Sequence, residues 1–552
     1  MGAPAFAAGG RRAGAVRTPR AAAARRARCR CCEAAARRSQ QGARREQQGD
    51  APREEDAGEH TPRRRRRVVS IVGSGPAGLL CAQRISEASA RRAGRSAARV
   101  GRSSASELEP ELEVHVYERR ATPCNRLLLA GRGGLNLTHA EGEAHFLGRY
   151  EGSGAAAVRG AVEAFGGAQA VREWASDLET ETFVGSSGRV FPTALRATPL
   201  LRAWVARLDE LGVRMHYRRR MVALERDGAS GQPLLRLEAE GRKRTAASGG
   251  ASAAADGLDG AAAAGEQAAV TLIESDVVVL ALGGASWPGL GSDGQWAESG
   301  WGQAVGLDVA PLRPANVGFR AHVHADDSGG AGGCGGWGAR FVERFAGAWV
   351  KDVRLRFGGR ETAGDLVFTE SGVEGGPIYA ISHALTRELR SGRPVEVAVD
   401  FRPALSVEAL AKRLASGRGG KKRRSASQRL RRAGVSPAAL ALLYESLGAD
   451  AAAVLASGPP EALAGAVKAA PLRLAAPMSI ARAISTEGGV RFGPGRGEVD
   501  ERTLAIGGAP GVFVTGEMTD WTAPTGGYLL TGCMGLGERA AEGVLEYLRV
   551  CA

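Results

Sequence analysis

The sequence predicts an α/β fold, a parallel sheet flanked by helices, on three observations. Short apolar runs at 68–72, 114–117, 277–282 and 512–515 are β-branched or aliphatic and bounded by glycine or charge, the signature of strands. Between them, 77–86, 199–211 and 535–548 repeat apolar residues at helical spacing. The first strand also runs straight into a glycine turn that opens the first helix. Strands that are apolar nearly throughout are those covered on both faces, which is the parallel-sheet case. A chain of 552 residues exceeds what a single core organises, so more than one packed unit is expected.

Taken in chain order, residues 1–67 come first and stand apart. They hold 18 arginines and 7 acids, a net of +11, whereas the remaining chain carries 56 basic and 52 acidic residues. The first 32 residues contain eight arginines, many alanines and no acid before Glu33. That pattern is expected of a removable transit peptide for a chloroplast or mitochondrion. The alternative is a disordered arginine-rich tail that stays on a cytoplasmic protein. The cysteines at 29, 31 and 32 fall in this leader without further ligands at metal spacing, and the body has no paired cysteine spacing. No run of about 20 apolar residues exists to span a membrane.

The formal charge of +15 invites a nucleic-acid reading, but its location argues against a basic binding face. Ten basic residues and no acid fall in 412–432. Outside that run and the leader the chain is slightly acidic. Segments 88–106, 246–267, 326–338 and 412–432 are poor in apolar side chains and are expected as surface loops.

The first strand feeds Gly73-Ser74-Gly75-Pro76-Ala77-Gly78. In a dinucleotide-binding turn the first glycine permits the bend and the second admits phosphate to the backbone. The third lets helix and strand pack closely, and the pyrophosphate faces the helix N-terminus. Pro76 suits the first helical turn, where a missing N–H costs nothing. Glycine is 79 of 552 residues, so the bare pattern recurs by chance roughly once or twice, as it does at 289–294 and 333–338. Only the match at 73–78 follows a strand and opens a helix.

The second strand ends in Glu118, followed by Arg119. A carboxylate there suits the two ribose hydroxyls of an adenosine and disfavours a 2′-phosphate; the bland reading is a solvated acid at a strand end. Near the C-terminus, a strand ends in Gly516-Glu517-Met518-Thr519-Asp520, and Thr525-Gly526-Gly527-Tyr528 opens a helix. Such an arrangement sets a carboxylate toward a ribityl chain and helix-start amides toward a flavin ring. Alone it would read as an ordinary strand–turn–helix; with the N-terminal turn it favours FAD over NAD.

In this order the blocks resemble the BaiN/YhiN-like family of predicted NAD(P)/FAD-dependent oxidoreductases. The resemblance is carried by 73–78, Ala130-Gly131-Arg132-Gly133-Gly134-Leu135-Asn136-Leu137-Thr138, 188–192, 282–288, 291–294, 368–375 and the long block 516–528. It implies a Rossmann-type FAD-binding domain at 68–310 and 476–552. Between those segments it implies an inserted smaller β-rich plus helical domain at 311–475. It implies that Gly131, Arg132, Gly133, Asn136, Gly283, Glu517, Asp520, Gly526, Gly527 and Tyr528 lie at the FAD, beside Gly73, Gly75, Pro76, Ala77, Gly78, Glu118 and Arg119. The broader family has Gly-Gly-Arg-Cys-Asn-Phe where this chain has Arg132-Gly133-Gly134-Leu135-Asn136-Leu137, which marks a distinct subfamily.

The expected activity is hydride transfer through FAD to or from a small-molecule substrate, with NAD(P)H as donor. No catalytic acid or base is identifiable. His139 is expected as a capping or surface histidine more than a ring neighbour, and Cys533 as a packed small residue. A flavin-binding sensor without turnover, or a flavoprotein acting on RNA, are the alternatives. The run 412–432 lacks interleaved aromatics to stack bases, which weighs against RNA.

Overall fold

The computed structural model describes residues 66–97, 111–130, 134–240, 270–322, 336–415, 425–447, 455 and 458–551. Most of the leader (1–65), the segment 246–267, and residues 131–133 lie outside the described residues.

A five-stranded parallel sheet organises the first unit. Its strands run in the order Val512–Val514, Val277–Leu280, Arg66–Val72, Glu111–Glu118 and Arg214–Tyr217. Each of the four expected strands is present, and the first extends two residues upstream of the expected start. Val69, Ile71, Val277, Val278, Val279 and Leu280 are essentially inaccessible. Side chains alternate faces along a strand, so burial at successive positions means that both faces are covered. Burying each aliphatic side chain contributes roughly 1.5–3 kcal/mol, which makes this sheet the centre of the unit's stability.

The helix Pro76–Ala97 covers one face and presses Leu79, Leu80, Ala82 and Ile85 into that core. It packs along the long C-terminal helix Tyr528–Val550, where Gly537 lies so close to Ala77 that a Cβ would stand 2.5 Å from the Ala77 carbonyl oxygen. The segment 88–106, expected as a loop, is helical as far as Ala97. Its alanines and arginines are good helix formers, and a helix already nucleated upstream extends through them at little cost. Gln83 on this helix accepts from the indole N–H of Trp204 (2.7 Å), so a buried polar atom is satisfied where the helix Ala197–Glu210 docks.

The second unit is a closed six-stranded barrel. Around it run Phe319–Ala321, Gly372–Glu374, Arg360–Phe368, Trp349–Phe357, Val395–Asp400 and Ala470–Pro477. Its separate core reaches from Val317 to Ala483 and includes Phe319, Leu355, Leu366 and Phe368. Asp400, 1% exposed, pairs with Lys468 at 2.6 Å at the edge of that core. An antiparallel ribbon, Val309–Ala315 with Ser485–Val490, leads the chain out to this unit and back. At the junction Asn316 donates from its backbone to Ser382 Oγ (3.0 Å) and from its amide to Ser485 Oγ (2.7 Å) and the Ala523 carbonyl (2.8 Å).

The basic segment 412–432, expected as a loop, is helical at both described ends. The helix Val407–Ala415 takes in its start, and Ala426–Arg432 forms a second helix whose Ser425 and Gln428 make a reciprocal capping box. Two orphan backbone donors find partners there, which offsets the dense charge. Among the described residues no helix is long and apolar enough to cross a membrane.

Candidate functional site

The site grows from the turn after the first strand. Gly73 has φ +107, and a Cβ on it would stand 2.2 Å from the Ala281 carbonyl oxygen, so only glycine fits both the conformation and the space. Its N–H donates to the Tyr117 carbonyl at 2.9 Å, tying the turn to the neighbouring strand. Gly78 meets the Gly73 carbonyl oxygen in the same way, at 2.2 Å, which holds the helix against the turn. A Cβ on Gly75 would meet nothing within 4 Å, because this glycine faces open space.

That space is a cavity of about 920 Å³, lined by Gly73, Gly75, Pro76, Ala77, Glu118, Arg119, Gly283 and Glu517 among others. Eight residues expected from the sequence therefore converge on one volume. Glu118 braces the turn from below: one oxygen accepts from the Ser74 amide (3.2 Å) and hydroxyl (2.5 Å), the other from the Arg120 amide (2.7 Å). Arg119 pairs with Asp293 at 2.6 Å. The Gly283 carbonyl accepts from the indole of Trp296 at 2.9 Å.

Arg126 also lines the cavity, and sequence reasoning missed it. Its guanidinium is ion-paired with Glu517 and donates to Ser286 Oγ (2.8 Å) and the Ile484 carbonyl (2.9 Å). Glu517 accepts in turn from the Thr486 amide at 2.9 Å. Burial alone would lower the Arg126 pKa, but the adjacent Glu517 charge outweighs it and holds the group above its ordinary value. Nothing in the local sequence distinguishes this arginine. Its partner lies 391 residues away, so only the folded chain reveals it.

The cavity fits a flavin dinucleotide by its own features. The open face of Gly75 leaves room for phosphate, and the first-turn amides of the helix lack intrahelical acceptors.

The other expected residues stand elsewhere. Asn136, Asp520, Gly526, Gly527 and Tyr528, like Gly78, are not in the cavity lining. Asp520 accepts a hydrogen bond from Ser153. Gly527 caps the C-terminal helix at φ +94, pressed against the Thr138 backbone. Tyr528 is buried and donates to Glu141 at 2.5 Å; burial, and then that carboxylate, push its pKa well up. The side-chain oxygen of Asn136 is buried without a partner among the described residues, and the expected Gly131, Arg132 and Gly133 lie outside them. His139 accepts from the Glu141 amide through Nδ1 (3.1 Å), which leaves Nε2 to donate to the Ser187 carbonyl (3.1 Å). The imidazole thus acts as a cap and lies outside the cavity lining. Cys533 does line the cavity, and so does Cys124, a neighbour that sequence spacing did not show. Burial, then the Glu517 charge, push the Cys533 thiol up to about 12.

The profile of the HI0933-like protein Rossmann domain matches residues 98–271 and 263–543. The 3-dehydro-bile acid delta(4,6)-reductase of Clostridium scindens is 25% identical over 312 residues, 56% of this chain and 63% of that protein, so the match spans less than two thirds of the relative. Among solved structures, the 3-ketosteroid-delta4-(5alpha)-dehydrogenase of Rhodococcus jostii RHA1 is 14% identical, with a TM-score of 0.40 over 89% of this chain and 99% of that one. The open conformation of a flavocytochrome c3 fumarate reductase is 12% identical, with a TM-score of 0.35 over 88% and 79%. With its family profile covering more than half of its length, the chain belongs to the HI0933-like Rossmann family, the BaiN/YhiN-like group.

Proposed function

We propose that this protein binds FAD in the cavity above the 73–78 turn and reduces or dehydrogenates a small apolar or enone-like compound, with NAD(P)H as the donor. The observation that carries the reading is the braced glycine turn opening onto a cavity with Glu118 and Glu517 on its walls. When bound, the flavin supplies hydride chemistry at N5.

The chain's own residues supply binding and electrostatics. In bracing the turn Glu118 accepts two hydrogen bonds on one oxygen and one on the other, and an ionised carboxylate has about four acceptor sites. The remaining site, on the oxygen bonded to the Arg120 amide, suits one hydroxyl of a ribose. The amides of the first helical turn would hold a pyrophosphate, and Arg126, oriented by its ion pair with Glu517, adds a fixed positive charge to the cavity wall. Cys124 and Cys533 are both held protonated by burial, which speaks against thiolate chemistry at this site. The relative from Clostridium scindens, named for reduction at the delta(4,6) positions of a 3-dehydro-bile acid, supports an apolar substrate of similar kind.

An absorbance spectrum of the purified full-length chain tests the reading. Bands near ~370 and ~450 nm that bleach under anaerobic NADH or NADPH are the expected result and identify the donor. Bands that do not bleach would favour a flavin-binding sensor. A colourless protein that takes up no added FAD would overturn the proposal.

A further inference from the structure

One side chain at the cavity is built against every local preference. Trp287 lines the cavity and lies at φ 58, ψ 59, in the left-handed region. A bulky residue there is a genuine outlier, since its Cβ crowds the backbone. The next residue is Pro288, and a residue before proline is pushed toward extended conformations. Glycine would occupy this position without penalty, yet the chain places its largest side chain here.

The backbone is held in this state from both sides. Upstream, the amides of Ala285 and Ser286 both donate to Thr486 Oγ1, at 2.8 and 3.2 Å, and Ser286 Oγ accepts from Arg126. Downstream, the Trp287 carbonyl accepts from the Leu290 amide at 2.8 Å, closing a short turn. Strain that persists because its surroundings over-determine it is found at binding sites.

Among the described residues nothing accounts for the indole. It is 40% exposed, unlike Trp296 and Trp301 on the same wall, which are 6% and 9% exposed. It belongs to neither hydrophobic core. Among the described residues it stacks on no ring, and its N–H has no acceptor, whereas that of Trp296 bonds the Gly283 carbonyl. A strained backbone thus holds out a flat, unpartnered aromatic face to a ligand cavity.

We propose that Trp287 is a stacking platform for a flat nitrogen heteroaromatic ring bound at this cavity, an inference that rests on the nucleotide-binding reading above. An electron-rich indole pairs by offset stacking with an electron-poor ring such as an isoalloxazine, a purine or a nicotinamide. Such stacking is worth about ten-fold or more in affinity per ring.

The test compares the full-length chain with Trp287→Gly, which relieves the backbone, and Trp287→Phe, which keeps a flat ring. Dissociation constants for FAD, ADP and NAD+ are measured for each, with thermal melting alongside. The expected result is that Trp287→Gly melts at or above the parent temperature and binds at least one of the three roughly ten-fold more weakly, while Trp287→Phe recovers most of the loss. Weaker FAD with unchanged ADP identifies the isoalloxazine as the stacked ring. Loss of ADP as well identifies the adenine, and loss of NAD+ alone identifies the nicotinamide. Unchanged affinity for all three overturns the proposal whatever the melting temperature. A parent chain that takes up no FAD refutes the cofactor reading instead, a result separable from unaltered binding by the variants.

Discussion

At the scale of single residues, the cavity is a set of charges that need one another. Arg126 and Glu517 come from opposite ends of the chain and share one ion pair, with side chains 28% and 10% exposed. Removing one partner of a mostly buried pair leaves the other uncompensated, which typically costs about 3–5 kcal/mol. Arg126→Met is expected to destabilise the chain by an amount near the lower end of that range. The double variant Arg126→Met with Glu517→Gln should recover most of the loss, because no unpaired charge remains. Guanidinium unfolding of both variants checks this; equal destabilisation by the two would mean that the pair is not coupled. The same scale explains what sequence reading could not supply. Gly73 announces itself through a local pattern, because a turn, a strand and a helix are contiguous in sequence. Arg126 has no such pattern, and Trp287 looks like any tryptophan before a proline until its φ is known.

At the scale of elements, local chemistry decided more than composition did. The segment 412–432 is rich in charge and poor in apolar residues, yet its described C-terminal part is a helix. Ser425 accepts from the Gln428 amide at 3.3 Å while Gln428 reaches back to the Ser425 amide at 3.1 Å, and Leu430 is wholly buried below them. Two capping bonds and one anchored leucine stabilise a short helix that charge density alone would disfavour. Ser425→Ala is expected to cost about 1 kcal/mol, read as a lower melting temperature, with no effect on flavin uptake at the distant cavity. The helix Pro76–Ala97 makes the same point, because an alanine- and arginine-rich stretch continues a helix begun by a strongly apolar one.

At the scale of the whole molecule, a cluster of charged side chains joins the parallel-sheet unit to the barrel. His383, on the barrel side, lies 3.1 Å from Glu487 and 3.3 Å from Glu151, while Arg390 donates to Glu487 at 2.8 Å. Burial pushes the Glu487 carboxyl up, but hydrogen bonds and charge from His383 and Arg390 outweigh it and hold the pKa below the ordinary 4.5. A depressed carboxyl contributes stability that is fully present above its unfolded value and is lost as pH falls through the folded one. The junction is therefore expected to hold at neutral pH and to loosen below pH 4.5. Limited proteolysis between pH 7 and 3 should show cleavage near the 309–315 and 485–490 ribbon rising only in acid. Glu487→Gln should flatten that dependence. By itself the sequence determined the α/β class, the strands of the sheet, the glycine turn and the carboxylate at the end of the second strand. These are read from periodicity and from residues adjacent in the chain, where covalent geometry limits the choices. The tertiary structure decided which expected residues meet in the cavity, that Tyr528 and Asp520 turn away to other partners, and that Arg126, Thr515 and Trp287 line it. Those outcomes depend on contacts between segments hundreds of residues apart, whose positions are fixed only when the two cores pack.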